Sequence, residues 1–295
     1  MTTQQNQAQQ PQEEQQEPIG EALPKVEEVA KTKFNFAPWI LVSGDQGIGK
    51  STFAASGTGG YCLDTEGKAW MYPDGYLRRY EYNAGMFDKL VSDVKNLTKT
   101  AKRIPRGIEI NNKQIKYLVI DTFDAVQEHL LTHYLEQKEL PEWEKKKKAI
   151  NPNYIAAPRM EMQDWGTILR IQSPLITALK QTFLPVVFVV HTTEERHPQY
   201  KYEKLVTPGR VDMTVAGSIS NKIMNNMSYG LWLHNVSGQV VAETAPGARI
   251  EDYDIKTIKD TGLWDRKPFV VKFDRSTMAC THRYIDLILE KHNYE

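Results

Sequence analysis

One short segment limits what this chain can fold into more than any other. The segment Gly44-Asp-Gln-Gly47-Ile-Gly49-Lys50-Ser51 matches the pattern G-x-x-x-x-G-K-[ST]. It follows the apolar run at residues 39–42, which predicts a buried strand, and it precedes a helix that we expect from about residue 51. Glycines in such a turn let main-chain N–H groups point inward around an anion. The sequence therefore predicts a phosphate-binding loop between a strand and a helix.

This loop predicts a nucleotide site in which each residue type has a use. The Lys50 ammonium reaches the terminal phosphates, the Ser51 hydroxyl is a ligand for Mg²⁺, and the start of the helix adds its positive end. We expect the nucleotide to be bound by Gly44, Asp45, Gln46, Gly47, Ile48, Gly49, Lys50, Ser51 and Thr52.

The chain beyond the loop alternates between apolar runs and helically periodic stretches. Residues 61–63, 117–120 and 185–190 predict buried strands, and residues 86–101 have the i, i+3, i+4 spacing of an amphipathic helix. Other predicted elements are helices near 122–137 and 161–182, a hairpin from 229–234 and 240–242, a strand at 269–273 and a helix from about 281. This alternation is typical of the α/β class. We predict a mostly parallel sheet flanked by helices, with a C-terminal hairpin extension.

The start of the chain differs from the rest in composition. Residues 1–18 contain eight Gln and three Glu but no Lys or Arg. A segment this polar cannot bury enough surface to offset its ordering entropy. We therefore predict a disordered tail over residues 1–32 and a single domain over residues 33–295.

Charge and cysteine content exclude several classes of protein. Lys plus Arg and Asp plus Glu number 37 each, so the chain has no overall positive field that would attract nucleic acid. Two cysteines, Cys62 and Cys280, cannot form a disulfide framework or a Cys-built zinc site. No apolar run approaches the roughly 18 to 20 residues of a membrane span. These features predict a cytoplasmic protein without a membrane partner.

Polar residues at the ends of three predicted strands are candidates for the chemistry. Asp121 follows the strand at 117–120 and is the expected Mg²⁺ ligand, although it could simply cap the next helix. Many ATPases place a Glu directly after this Asp, but here the position is Thr122. Glu66, at the end of the second strand, is therefore the candidate base that polarises the attacking water. His191 ends the strand at 185–190, where it could contact the γ-phosphate or serve only as a hydrogen-bonding residue.

This order of motifs resembles the RecA-like recombinase ATPases over residues 34–240. The likeness is greatest to the reduced, core-only versions of bacteriophages, which are associated with single-strand annealing and recombination. The resemblance implies that Glu66 is the water-activating residue and Asp121 the metal-binding residue. His191 falls at the position that usually holds Gln. The resemblance also implies ATP as the nucleotide and Mg²⁺ as its cofactor.

Two long connections could bind single-stranded DNA, because cations contact phosphates while aromatic rings stack on bases. The first, at residues 141–159, contains Lys145, Lys146, Lys147, Lys148 and Arg159. The second, at residues 192–226, contains Arg196, Tyr200, Lys201, Tyr202, Lys204 and Arg210. The four consecutive lysines could equally be a solvated helix end.

The resulting prediction is an ATP-hydrolysing protein that acts on single-stranded DNA in recombination or annealing. A homo-oligomer, or a second replication or recombination protein, is the expected protein partner. If phage-encoded, the protein would lie in the host cytoplasm. Two alternatives stay open: a nucleotide-gated loader or interaction module with little turnover, and a P-loop kinase.

Overall fold

The structure, a computed structural model, describes most of the chain after residue 36. The described residues are 37–291 except 74–75, 82, 84, 106, 154–158, 202–203, 216–217, 247–248, 251–252, 260–266, 275 and 278. They belong to one unit, Asn35–Glu295. The predicted disordered tail at residues 1–32 lies outside the described residues.

The described residues form a large central sheet and several small ones. In chain order the strands are β1 (Trp39–Gly44), β2 (Gly60–Asp64), β3 (Leu77–Arg79), β4 (Lys102–Ile104), β5 (Gly107–Ile110), β6 (Lys113–Ile115), β7 (Tyr117–Asp121), β8 (Val186–Arg196), β9 (Gln199–Lys201), β10 (Lys204–Thr207), β11 (Gly209–Met213), β12 (Tyr229–Val236), β13 (Gln239–Glu243), β14 (Arg249–Ile250), β15 (Tyr253–Ile255), β16 (Phe269–Val271), β17 (Phe273–Asp274) and β18 (Ala279–Cys280).

The main sheet has the strand order β3-β2-β7-β8-β1-β12-β13-β16. Its first six strands are parallel to one another, and β13 and β16 are added antiparallel at one edge. Strands β1 and β7 are buried along their whole length, as is expected of strands with helices on both faces. The predicted α/β class, parallel sheet and hairpin (β12 with β13) are confirmed.

Helices cover both faces of this sheet. They are α1 (Lys50–Ala54), α2 (Met86–Thr100), α3 (Phe123–Gln137), α4 (Glu142–Ile150), α5 (Met162–Thr182), α6 (Ser218–Asn226) and α7 (Tyr284–Lys291). Apolar residues of α2, α3 and α5, such as Leu90, Val126 and Leu175, form a core with one face of the sheet. Phe53 of α1 and Ile285 of α7 belong to the core on the other face. The apolar stripe of α2 is buried, as its sequence predicts.

The strand register brings the candidate functional residues to one edge of the sheet. Asp64 at the end of β2 is the Cα partner of Asp121 at the end of β7. Gly44 at the end of β1 is the Cα partner of His191 in β8. Because these strands are parallel, their carboxyl ends meet where ligands bind in open α/β sheets.

The two long connections contain more regular structure than we expected. Helix α4 occupies residues 142–150 of the first connection. In the second, β8 continues through polar residues to Arg196, where β11 pairs with it antiparallel, and β9 and β10 form a hairpin. Local sequence does not predict this extension, because its side chains are polar and exposed and its partner strand is supplied by β11.

Among the described residues, no helix is both long enough and apolar enough to span a membrane.

Candidate functional site

The phosphate loop leaves β1 at Gly44 and enters α1 at Lys50. Gly44 has a φ of 151°, and a Cβ there would lie 2.4 Å from the carbonyl oxygen of Leu233, so only glycine fits. The Lys50 side chain is buried, and its Nζ donates hydrogen bonds to the carbonyl oxygens of Gly44 (3.0 Å) and Asp45 (2.7 Å). Burial lowers the pKa of Lys50, while the carboxylates of Asp124 and Asp121 oppose that change. The ammonium is thus held at the base of the loop.

Ser51 and Asp121 form the expected metal-binding pair. The Ser51 hydroxyl donates a hydrogen bond of 3.0 Å to Oδ1 of Asp121. Burial raises the pKa of Asp121 to about 6, the Ser51 hydrogen bond opposes this rise, and the negative charges of Asp64 and Glu66 add to it. A cation bound beside the Asp121 carboxylate would relieve this cost of burial.

Asp64 shapes the loop that carries Glu66. Its Oδ1 accepts hydrogen bonds from the main-chain N–H groups of Glu66 (3.2 Å), Gly67 (2.7 Å) and Lys68 (3.3 Å), and its Oδ2 accepts one from Ala69 (3.2 Å). Asp64 is fully buried. Both oxygens of the Asp64 carboxylate therefore accept hydrogen bonds within this turn. These bonds fix the main chain that carries the Glu66 carboxylate.

Glu66 lies near Ser51 and Asp121. Its Oε1 accepts a hydrogen bond of 2.8 Å from the hydroxyl of Thr122, which directly follows Asp121. Its Oε2 lies 3.0 Å from Nζ of Lys68. Thr122 occupies the position where many ATPases carry the catalytic Glu, and here it holds a Glu supplied by the neighbouring strand instead.

His191 is bound by a residue that the sequence prediction did not place in the site. Its Nδ1 is hydrogen-bonded to Oδ2 of Asp124, and its main-chain N–H donates to Oδ1 of the same carboxylate (3.4 Å). Asp124 lies in the first turn of α3. The two residues meet because β7 and β8 are neighbouring strands. A local sequence pattern therefore cannot predict their contact.

One cleft of 340 Å³ is lined by most of these residues, His191 included, whereas Asp124 lies outside its lining. From the predicted set it is lined by Gln46, Gly47, Gly49, Lys50, Ser51, Thr52, Glu66, Asp121 and His191. Asp45 lines a neighbouring cavity instead and accepts a hydrogen bond from Thr192 (3.1 Å), whereas Ile48 packs against the core. Sequence reasoning missed Trp70, which is 58% exposed, and Met71, although both line the cleft.

The donor groups in the cleft fit a nucleotide with a magnesium ion. A hydroxyl and a carboxylate oxygen stand side by side at Ser51 and Asp121, and Mg²⁺ prefers such oxygen ligands. The buried ammonium of Lys50 supplies positive charge for phosphates. The indole of Trp70 adds an apolar surface at the same cleft.

The C-terminal part of the chain packs behind this cleft. A Cβ on Gly49 would lie 2.7 Å from the ring of Phe273, and the Cys280 thiol is 3.6 Å from the carbonyl oxygen of Thr52. Asp286 accepts two hydrogen bonds of 2.8 Å from Thr58. The segment that follows β13 thus supports the phosphate loop and α1.

The residues predicted to bind DNA lie in two separate places. Lys145, Lys146, Lys147 and Lys148 lie on α4, where Lys145 is ion-paired with Glu142 (2.9 Å) and Lys147 lies over the ring of Trp143. Arg196 donates to the carbonyl oxygen of Pro208, and Arg210 is ion-paired with Glu195 (2.8 Å) and Asp212 (3.1 Å).

The remaining residues that were predicted to bind DNA are Arg159 and those of the β9–β10 hairpin. Arg159 lies 3.9 Å from the buried carboxylate of Glu144. Tyr200, Lys201 and Lys204 are exposed on the β9–β10 hairpin. Tyr202 lies outside the described residues.

Comparison with known proteins identifies a family to which this chain is similar. The profile of a family described as AAA domain matches residues 37–246. None of the curated proteins compared with the chain matches significantly. Among solved structures, that of the RadB recombinase is similar with a TM-score of 0.38 and 13% identity, covering 83% of this chain and 91% of that one.

The family match and the strand topology together settle the class of the protein. The phosphate loop joins β1 to α1, and Asp121, the expected Mg²⁺ ligand, ends β7. The predicted RecA-like P-loop ATPase fold is confirmed, whereas the bacteriophage subgroup stays a prediction. The chain belongs to the AAA domain family, whose fold here forms a nucleotide-binding cleft.

Proposed function

We propose that this protein hydrolyses ATP in the cleft and uses it to act on single-stranded DNA in recombination or annealing. One observation carries the first half of the proposal. Lys50, Ser51, Asp121, Glu66 and His191 come from four separate chain segments and line the same 340 Å³ space. A phosphate anchor, a metal-binding pair and groups that can contact water are the parts that phosphoryl transfer needs.

The phosphate-binding residues have separable tasks. The Lys50 ammonium binds the terminal phosphates once they replace its hydrogen bonds to the loop carbonyls. Ser51 and Asp121 would hold Mg²⁺, which neutralises charge on the phosphates when bound. Trp70 offers an exposed aromatic face at the same cleft, and we assign it as the surface on which the base stacks.

Glu66 is the carboxylate that orients the attacking water. Asp64 fixes the main chain of its loop, and Thr122 fixes one of its two oxygens. A water hydrogen-bonded to this carboxylate would be held beside the phosphate-binding residues, since all of them line one cleft. Orientation of this kind contributes to catalysis by positioning.

The second half of the proposal rests on the β9–β10 hairpin. Lys201 and Lys204 are Cα partners across its two strands, and Tyr200 is 55% exposed beside them. Exposed cations with an aromatic ring suit a single strand, whose bases are free to stack. The hairpin follows β8, the strand that carries His191, so one strand joins the nucleotide cleft to the proposed DNA surface. A homo-oligomer or another recombination protein stays the predicted protein partner.

The test is the rate of ATP hydrolysis with and without single-stranded DNA. We expect a slow basal rate that single-stranded DNA increases, and a Lys50→Ala variant that hydrolyses ATP under neither condition. A wild-type protein that hydrolyses ATP without responding to DNA would remove the recombination half. A protein that binds ATP without any turnover would be the loader or interaction module instead.

A further inference from the structure

A single carboxylate fixes His191 in the nucleotide cleft. Oδ2 of Asp124 is hydrogen-bonded to the ring Nδ1, and Oδ1 accepts the main-chain N–H of the same histidine at 3.4 Å. A residue of α3 therefore sets the orientation of the imidazole. An arrangement with two contacts from one side chain leaves the ring little freedom to rotate.

These contacts also set which ring nitrogen carries hydrogen. An ionised carboxylate can only accept, so Nδ1 must be the N–H donor toward Asp124. Nε2 then keeps its lone pair, and no described residue forms a hydrogen bond with it. Since His191 lines the cleft, its remaining nitrogen is the one left to contact water or phosphate there.

Both oxygens of Glu66 have a partner at the edge of the same cleft. One of its oxygens accepts a hydrogen bond from Thr122 (2.8 Å), and the other lies 3.0 Å from the Lys68 ammonium. A carboxylate whose two oxygens are held in this way has a fixed orientation, which suits it to orient a water molecule.

The carboxylate of Glu66 and the imidazole of His191 lie close together in the cleft. A carboxylate oxygen of Glu66, one of Asp124 and a ring nitrogen of His191 lie within 4.8 Å of one another. Two hydrogen bonds of about 2.8 Å can join acceptors at such a separation through a single water molecule. For one water to serve both groups, one of its hydrogens must point to Glu66 and the other to Nε2 of His191.

We propose that His191, held by Asp124, is the general base that accepts the proton of the attacking water, while Glu66 orients that water. This proposal rests on the ATP hydrolysis proposed above. The water oxygen forms a bond to the γ-phosphorus, and the bond from that phosphorus to the β–γ bridging oxygen breaks. One water proton passes to Nε2 of His191, and ADP leaves with the bridging oxygen. The imidazolium, stabilised by Asp124, then returns its proton to the released phosphate or to solvent.

Asp124 is a positioning residue in this scheme. A carboxylate that holds an imidazole tautomer and stabilises the imidazolium is the arrangement found in hydrolytic triads. It is also a source of negative charge beside Lys50. Effects of Asp124 on ATP affinity must therefore be measured apart from effects on turnover.

The His191→Gln variant separates this role from the alternative in which His191 only contacts the γ-phosphate. A Gln side chain can donate a hydrogen bond to phosphate but cannot accept a proton and become a cation. His191→Gln should therefore keep ATP affinity and lose kcat by roughly 10²-fold or more if the imidazole is the base. If His191 is only a phosphate contact, the same variant should remain active.

The experiment compares four proteins: wild type, His191→Gln, Asp124→Asn and Glu128→Gln. Glu128 is an exposed carboxylate on the same helix as Asp124 and is the matched control, for which we expect wild-type turnover. ATP dissociation constants and single-turnover rates are measured with single-stranded DNA present. The ¹⁵N spectrum of the His191 ring is recorded for the wild type and for Asp124→Asn.

The Asp124→Asn variant should behave as a general base without its positioning carboxylate would. Asp124→Asn must place its NH₂ group against either the ring or the main chain of His191. We expect a shift from the Nδ1–H toward the Nε2–H tautomer, with kcat lowered roughly 10²-fold and ATP still bound.

Two results would overturn the proposal, and they differ from each other. Turnover of His191→Gln within about threefold of wild type would show that His191 is not the base, while leaving ATP hydrolysis in place. A wild-type protein without turnover would instead overturn the proposed function, and this role of His191 with it.

Discussion

The Ser51 hydroxyl lies 3.0 Å from Oδ1 of Asp121, although the two residues are 70 positions apart in the chain. Ser51 lies on α1, which follows β1, and Asp121 ends β7. Strand β8 lies between these two strands, so the pair spans one strand at the carboxyl edge of the sheet. These two oxygen atoms from separate segments meet only when the sheet has its native order.

Removing either member of this pair should weaken magnesium-dependent nucleotide binding. We expect Ser51→Ala and Asp121→Asn each to reduce ATP affinity in the presence of Mg²⁺, and to have little effect with a chelator present. Because both residues serve one ligand, the double variant should be less impaired than the sum of the two, by about 0.5 to 3 kcal/mol. Isothermal titration with and without Mg²⁺ measures this, and strict additivity would contradict a shared ion.

Glu66→Gln tests the orienting carboxylate. The amide has the same shape but carries no charge, so ATP should still bind while the attacking water is held less well. We expect kcat to fall by roughly 10²-fold with little change in the dissociation constant. Rapid-quench single-turnover assays measure the chemical step directly. If turnover survives, the orienting role must belong to a different residue.

Trp70→Ala should weaken ATP binding if the indole supports the base. Aromatic stacking contributes about 0.5 to 1.5 kcal/mol beyond burial of area, so we expect a loss of affinity of roughly tenfold, most of which Trp70→Phe should restore. Intrinsic fluorescence gives a second measurement, since ATP should change the emission of the wild type but not of Trp70→Phe. Trp143→Phe is the matched control, because Trp143 is also exposed but lies on α4. Equal affinity of Trp70→Ala and wild type would place the base elsewhere.

The hairpin predicts two distinguishable effects on DNA binding. Replacing Lys201 and Lys204 with Ala should flatten the salt dependence, because each lost phosphate contact removes roughly 0.7 from the log-log slope on single strands. Replacing Tyr200 should weaken binding by roughly 1 to 3 kcal/mol and leave that slope unchanged. Fluorescence anisotropy over a salt series measures both effects.

Two controls accompany the DNA measurements. Double-stranded DNA has bases that are already stacked, so Tyr200 should matter little for it. Arg210→Gln is the matched cation control, because Arg210 is already paired with Glu195 and Asp212. If the protein with ATP and Mg²⁺ binds neither form of DNA at low salt, the recombination proposal fails.

Asp164 should make the free energy of unfolding depend on pH in the acid range. A hydrogen bond from Lys138 (2.6 Å) is the main reason that the pKa of Asp164 is lowered to about 2, with the Glu161 N–H and the Tyr134 hydroxyl adding to it. The unfolded chain binds this proton more tightly than the folded one, so the contribution to stability is full above about pH 4 and is lost as the pH falls toward 2. Asp164→Asn should lose stability at neutral pH and show a shallower decline between pH 4 and 2. Urea unfolding at several pH values measures this, and equal declines would contradict it.

Local pattern is sufficient to predict the strands that end at the cleft. β1, β2, β7 and the first half of β8 are apolar runs followed by a polar residue, and burial on both sides of a parallel sheet produces that pattern. The sequence pattern alone therefore assigns Asp121 and His191 to one edge of the sheet. The phosphate loop needed only its own residues.

The features that escaped prediction depend on contacts between distant segments. His191 and Asp124 are 67 positions apart, and the orientation of α3 against β8 decides their contact. Trp70 lies in a loop whose course is set by the hydrogen bonds of Asp64 rather than by any periodic pattern. The strands β4 to β6 are short and partly exposed, so their burial pattern is too weak to identify them. Helix α4, in contrast, is the alternative that the sequence left open for the four lysines.

The C-terminal contacts limit how far the chain can be truncated. They join Phe273, Cys280 and Asp286 to the phosphate loop, to α1 and to the turn that follows it. The family match ends at residue 246, yet the ring packed against Gly49 and the carboxylate that holds Thr58 come from later in the chain. A fragment ending at residue 246 would expose the apolar face of α1 and leave the loop without its backing. The smallest autonomous nucleotide-binding piece is therefore longer than its family signature and must extend through α7.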